Sequence, residues 1–177
     1  IISMFLNDKV AFISIIFIIF MVFLAFFGPS LISESFTKMN LRLRNLEPFS
    51  FDHHFMYFFG ADALGRSMIA RLILATQNTM FIAGSAVILS MTFGGILGLI
   101  SGYYGGRVGN LIMRMADIIM SFPSLLLAVI VLYMFDPGLL NLVIVLAFTR
   151  LPIYMRTARA EVLEIRERLF VSAAISM

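Results

Sequence analysis

The chain has 177 residues, 61% of them hydrophobic and 13% charged, with a mean hydropathy of +1.01. Soluble domains carry about a quarter charged residues, so this balance describes a polytopic membrane protein. The net charge of +3 does not point to nucleic acid, because the arginines gather at the ends of apolar runs, and the lack of Cys removes disulfide frameworks and thiolate metal sites.

In chain order, Asn7-Asp8-Lys9 leads into the uncharged run Val10 to Phe27, rich in Ile and Phe. At 1.5 Å per residue this run just spans a hydrocarbon core of about 30 Å, and it is the first predicted span. A signal peptide would end its apolar region at a small-x-small cleavage site, which Ala25-Phe26-Phe27-Gly28 does not supply. Gly28-Pro29 then breaks the helix. Glu34, Lys38, Arg42, Arg44, Glu47, Asp52, Asp62, Arg66 and Arg71 follow among aromatics, which predicts an aqueous segment with membrane-skimming parts. Phe49 to Phe59 has the aromatic density of an interfacial belt. His53 and His54 are neighbours whose side chains point apart, and no third ligand recurs at metal-binding spacing, so no metal site is expected.

No charged residue lies between Arg71 and Arg107, and the second span is predicted over about Thr79 to Ile100 with a membrane-embedded lead-in. Within it Ser90, Gly94, Gly98 and Gly102 repeat every fourth residue. Such a ridge of small side chains lets another helix approach closely in lipid; a substrate groove along the same ridge is the secondary reading. Gly102 to Asn110 reads as a tight turn, without the GxxxxGK[ST] pattern of a phosphate-cradling loop, so the chain itself is not an ATPase. The third span is predicted from about Leu111 to Phe135, with Arg114 and Asp117 satisfying each other at i, i+3 and a kink at Pro123. Asp136-Pro137-Gly138 makes a turn, and Leu139 to Met155 is the fourth span. Arg150 and Pro152 stand in its last turns, where the arginine either snorkels to the interface or faces a polar cavity.

From Tyr154 to Met177 the pattern changes. Ala158, Val162, Ile165, Leu169 and Ala173 draw one apolar stripe on a helix, and Arg156, Arg159, Glu161, Glu164, Arg166, Glu167 and Arg168 cover the other faces. Glu164 and Arg168 form an i, i+4 pair in the favourable order. The helix either lies on the bilayer or docks on a protein, and its mixture of glutamates with arginines favours docking. Lys9, Arg107, Arg114, Arg150, Arg156, Arg159, Arg166 and Arg168 fall on one side of the predicted spans, against Lys38, Arg42, Arg44, Arg66 and Arg71 on the other. That bias places the terminal helix in the cytoplasm.

Four strings occur in one order: FGADALGRSMIARLI (Phe59 to Ile73), GYYGGRVGNLIMRMADIIMSFPSLLLA (Gly102 to Ala128), LPIYMRTARAEVL (Leu151 to Leu163) and FVSAA (Phe170 to Ala174). With them the chain resembles the C-type inner-membrane permease subunit of bacterial ABC importers for dipeptides, oligopeptides and nickel. The residues that carry the resemblance are Gly60, Asp62, Leu64, Gly65, Arg66, Gly105, Gly106, Arg114, Asp117, Pro123, Arg156 and Arg159. The resemblance implies an all-α type I importer transmembrane domain, similar to the methionine-importer permease fold, with four spans here and the closing spans missing. It divides the chain into an N-terminal span plus periplasmic segment (1–72) and the transmembrane domain (73–177), cut within the EAA coupling segment. Glu167, Phe170, Val171, Ser172, Ala173 and Ala174 would couple to the ATPase, with Ser172 where the family has Glu, Gly109 where Asp is usual and Leu151 where Trp is common. The implied partners are a second permease subunit, two ABC ATPase subunits, a periplasmic or lipid-anchored solute-binding protein and membrane lipid. No cofactor, catalytic group or nucleic acid is implied.

The rival is a self-contained channel or ion-driven secondary transporter. It would want ionisable groups deep in its spans, and Arg114, Asp117 and Arg150 all stand near predicted span ends. A membrane enzyme has less support, since the sequence has no HExxH or Ser/His arrangement.

Overall fold

The side chain of Asp8 accepts the N–H groups of Val10 and Ala11 at 3.1 and 3.2 Å and caps helix α1, Lys9–Phe27. The computed structural model describes residues 8–50, 52–134 and 138–176. Ile and Phe are only moderate helix formers in water, but in hydrocarbon every backbone polar group must find a partner within its own segment, and a helix provides that. Val10, Ile13, Phe17, Ile19, Phe23 and Phe26 are exposed around α1, as suits a helix meeting lipid on most sides.

Among the described residues of 28–67 there is no long helix. Four short 3₁₀ turns (Gly28–Leu31, Glu34–Phe36, Leu41–Leu43 and Phe55–Tyr57) are tied together by backbone bonds between distant positions. Asn40 donates to Leu64 O, Asn45 to Asp62 O, Phe49 to Phe58 O and Ser67 to Phe36 O. His54 uses Nδ1 to accept the Met56 N–H, which makes it a cap on the last turn. Phe51, in the aromatic belt, lies outside the described residues.

Helix α2, Met68–Tyr104, is 37 residues long. At 1.5 Å per residue it extends about 55 Å, well beyond a hydrocarbon core of about 30 Å. The lead-in expected before Thr79 is therefore part of the same helix, since no Gly, Pro or charge interrupts residues 72–83. The chain divides into two compact units, residues 1–81 and 82–177, and the division falls inside α2.

In the second unit the glycine-rich stretch departs from the expected nine-residue turn. Gly102 still belongs to α2, and α3, Gly106–Ser121, starts after Gly105 alone. Gly105 sits at φ 59°, ψ −150°, a region essentially reserved for glycine, and Gly106 follows at φ 49°, so two glycines turn the chain. The kink expected at Pro123 is present and sharp: Phe122 is extended, as a residue before proline prefers, and α3 meets α4, Ser124–Met134, at an 82° bend. Phe135 and the Asp136-Pro137 turn lie outside the described residues. Helix α5, Leu139–Arg166, runs without a break through Pro152, so the predicted fourth span and the first half of the predicted amphipathic helix are one element. Proline is tolerated there because Pro152 is buried against neighbours that stabilise the helix from outside. A break at Glu167–Arg168 separates α5 from the short α6, Leu169–Ser176. Among the described residues three helices are long and apolar enough to cross a membrane, and four spans result if the bent α3–α4 pair counts as one.

Candidate functional site

In the first unit the string around Asp62 folds onto its own carboxylate. Oδ1 accepts the N–H groups of Leu64 and Arg66, both at 2.9 Å, and Oδ2 accepts Arg66 Nε at 2.8 Å and Arg71 Nη1 at 2.9 Å. The Arg66 backbone N–H does most to hold the carboxyl down, helped by the Arg66 guanidinium and the Leu64 N–H against the cost of desolvation, and the pKa falls from 3.8 to about 2. Gly65 closes this turn at φ 75° with the Asn40 backbone directly against it, where a side chain would be both strained and blocked. Gly60 ends the preceding 3₁₀ turn, and Leu64 is exposed. Ser67 caps α2: its hydroxyl accepts the Ala70 N–H at 3.3 Å and donates to Met56 O. Serine and aspartate are equally good caps, but only the hydroxyl can also donate.

The second unit is organised by the small-residue face of α2. Ala86, Ser90, Gly94, Gly98 and Gly102 are buried at four-residue intervals. A Cβ built on Gly94 would lie 2.7 Å from Leu151 O, one on Gly98 2.7 Å from the Ala158 Cβ, and one on Gly102 2.7 Å from the Val162 Cβ, so α5 lies along this face. The contact positions rise together in α2 and α5, which makes the two helices parallel. Ser90 turns its hydroxyl back to Ala86 O at 2.7 Å and so buries no unpaired donor.

At the end of this seam two arginines of α5 hold the α2–α3 corner. Arg159 Nη1 donates to Gly109 O at 3.3 Å and Arg166 Nη1 to Tyr103 O at 3.4 Å, while Ser101 donates to Gly109 O at 3.1 Å. Gly109 lies so close to α2 that a Cβ would come within 2.6 Å of Ser101 O. One step along, Asp117 pairs with Arg156 Nη2 at 2.5 Å. The expected Asp117–Arg114 pair is thereby corrected: α5 presents a guanidinium across the helix interface, and the carboxylate takes it. Gly105 and Gly106 form the corner, and Pro123 stands at the α3–α4 bend. Ser101 and Tyr103 were not singled out in the sequence, and Arg166 was read only as part of a charged face, because the bonds they make depend on a close approach between elements far apart in the chain.

The predicted coupling residues lie at the far end of α5. Glu167 occupies the break, and Glu164 pairs with Arg168 at 2.8 Å. Leu169 is 87% exposed and Phe170 64%. Val171 is half-buried beside Tyr103, Val162 and Ile165, and Ala173 is exposed. Ser172 and Ala174 fall within α6, but their side chains lie outside the described ones. The motif residues thus form two groups, one in each unit. Among the described residues no three His, Cys, Asp or Glu side chains come together in a way that could hold a metal.

Residues 94–177, which carry the seam, corner, bend and α6, match the family model described as "Binding-protein-dependent transport system inner membrane component". Residues 1–48 match the "N-terminal TM domain of oligopeptide transport permease C". The chain belongs to the binding-protein-dependent transport permease family. This permease is 35% identical over 168 residues to the dipeptide transport system permease protein of Alkalihalophilus pseudofirmus, covering 95% of the chain and 54% of the relative. It is 42% identical over 118 residues to the di/tripeptide transport system permease protein of Pseudomonas aeruginosa, covering 67% and 39%. To the nickel transport system permease protein of Escherichia coli it is 34% identical over 118 residues, covering 67% and 43%. The chain spans about half the length of the curated relatives it matches. The permease is a multi-pass membrane protein.

Proposed function

We propose that this permease forms half of the translocation pore of an ATP-driven importer for peptides or similar small solutes in the bacterial inner membrane. The observation that carries the proposal is α6. It is set off from α5 by a two-residue break and exposes Leu169 and Phe170 beside the charged Glu164–Arg168 pair. An apolar centre with a charged rim is what a protein partner buries. Behind α6 stands α5, about 42 Å of continuous helix fixed to the α2–α3 corner by Arg159 and Arg166, so that displacement of α6 is passed on as a rigid-body movement. In this proposal α6 docks on one of two ABC ATPase subunits. A second permease completes the pore, and a solute-binding protein delivers cargo from outside. Residues 1–72 serve as the N-terminal span with its external segment, and 73–177 as the transmembrane domain. ATP hydrolysis belongs to the partners.

The test is purification of the full-length protein from mild detergent with mass spectrometry of what accompanies it. A second permease and P-loop ATPases in matched amounts are expected. Phe170→Asp would place an unpaired charge in the docking surface and should lower ATPase recovery by about tenfold or more while leaving the permease pair together. A folded lone protein or homo-oligomer would overturn the proposal in favour of a self-contained channel or secondary transporter.

A further inference from the structure

The 82° bend between α3 and α4 opens a cavity of about 330 Å³ within the second unit, and Arg150 stands in its wall with Thr149, Ser124, Phe122 and Ile153. The sequence pattern put this arginine near the end of a span. Because α5 is one helix from Leu139 to Arg166, its position changes: a helix entering hydrocarbon at Leu139 carries Arg150 about 16 Å inward, near the middle of a core about 30 Å thick. From there the headgroups on either side are farther away than one side chain spans, so snorkelling is not available. No carboxylate among the described residues pairs with Arg150, whereas Arg156, two turns on, has Asp117. An unpaired cation at mid-depth is costly unless it faces a water-filled cavity or binds an anion, and broken spans are where membrane transporters place such sites. The volume is that of a pocket for a small molecule rather than a protein segment.

We infer that the cavity at the α3–α4 bend is a station on the solute's path, where Arg150 receives the carboxylate of the passing solute with the Ser124 hydroxyl beside it. This rests on the importer reading above and adds a chemical class to it: carboxylate-bearing solutes, the free C-terminus of a short peptide among them. A lipid phosphate has the same chemistry toward a guanidinium but lies at the interface, not at this depth. The step is binding alone, and it exploits the planar fork of arginine.

The test uses the full-length permease with its partners in phosphatidylcholine nanodiscs, without the solute-binding protein, titrated by saturation-transfer NMR with dialanine and with dialanine amide. Dialanine should bind about tenfold or more tightly than its amide, the difference expected for one charged hydrogen-bonding partner. Arg150→Gln should abolish that difference, and Arg150→Lys should keep part of it. Equal binding of acid and amide by the unaltered protein, or an acid preference that survives Arg150→Gln, overturns the inference. So does loss of dialanine binding to competition when phosphatidylglycerol is added, which would assign the cavity to lipid. Failure of the importer reading would instead show as nanodiscs that contain no ATPase.

Discussion

Single carboxylates settle two local structures here, and they do so differently. Asp62 is nearly enclosed and accepts from two backbone N–H groups and two guanidinium groups, so its turn is held by the ionised form. Its pKa is depressed from 3.8 to about 2, which means the stabilisation is complete above the ordinary carboxylate value and is lost as pH falls through about 2. Pepsin works in that range and favours aromatic sites such as those from Phe49 to Phe59. The segment should resist cleavage down to about pH 3 and become susceptible below, whereas Asp62→Asn should be susceptible throughout. Equal resistance of the two proteins at pH 3 would show that the turn does not depend on the charge. Asp117 is more exposed, and its pair with Arg156 bridges two helices rather than closing a turn.

Among the helices, the decisive feature is how closely α2 and α5 approach. Gly98 faces the α5 backbone, with Met155 O 2.5 Å from where a Cβ would stand, whereas Gly95, three residues earlier, has nothing within 4 Å of its own Cβ position. Overfilling a packed contact costs about 1–3 kcal/mol. Gly98→Leu should therefore lower the melting temperature and yield of the purified protein, and Gly95→Leu should leave both near those of the unaltered chain. Matched losses in the two variants would mean that the ridge does not face α5. The α3–α4 bend follows from local chemistry: Pro123 disfavours a helical Phe122, and the chain restarts as α4 with Pro123 O accepting the Leu127 N–H.

At the scale of the molecule, the positive charges bear on how the chain threads the membrane. In the topology we propose from the bias of Lys and Arg, residues 28–67 are outside and the α5–α6 end is in the cytoplasm. An alkaline phosphatase reporter fused after Arg44 should be active and one fused after Glu164 inactive, and the reverse pattern would invert the topology and remove α6 from reach of a cytoplasmic ATPase. The membrane class, the positions of the apolar helices, the spacing of Ser90, Gly94, Gly98 and Gly102, and the family were all legible in the sequence, because hydropathy, periodicity and motif order are local properties. Boundaries were less so: a polar stretch after Met155 looked like a new element, yet α5 carries on to Arg166, since nothing in residues 153–166 breaks a helix. Which carboxylate meets which arginine was not legible at all. Asp117 had Arg114 three residues away, and only the packing of α3 on α5 brought Arg156 nearer. The same holds for Arg150: the sequence determines that a charge stands in an apolar run, but the cavity it lines follows from helix continuity and the bend at Pro123, which are decided when distant segments pack.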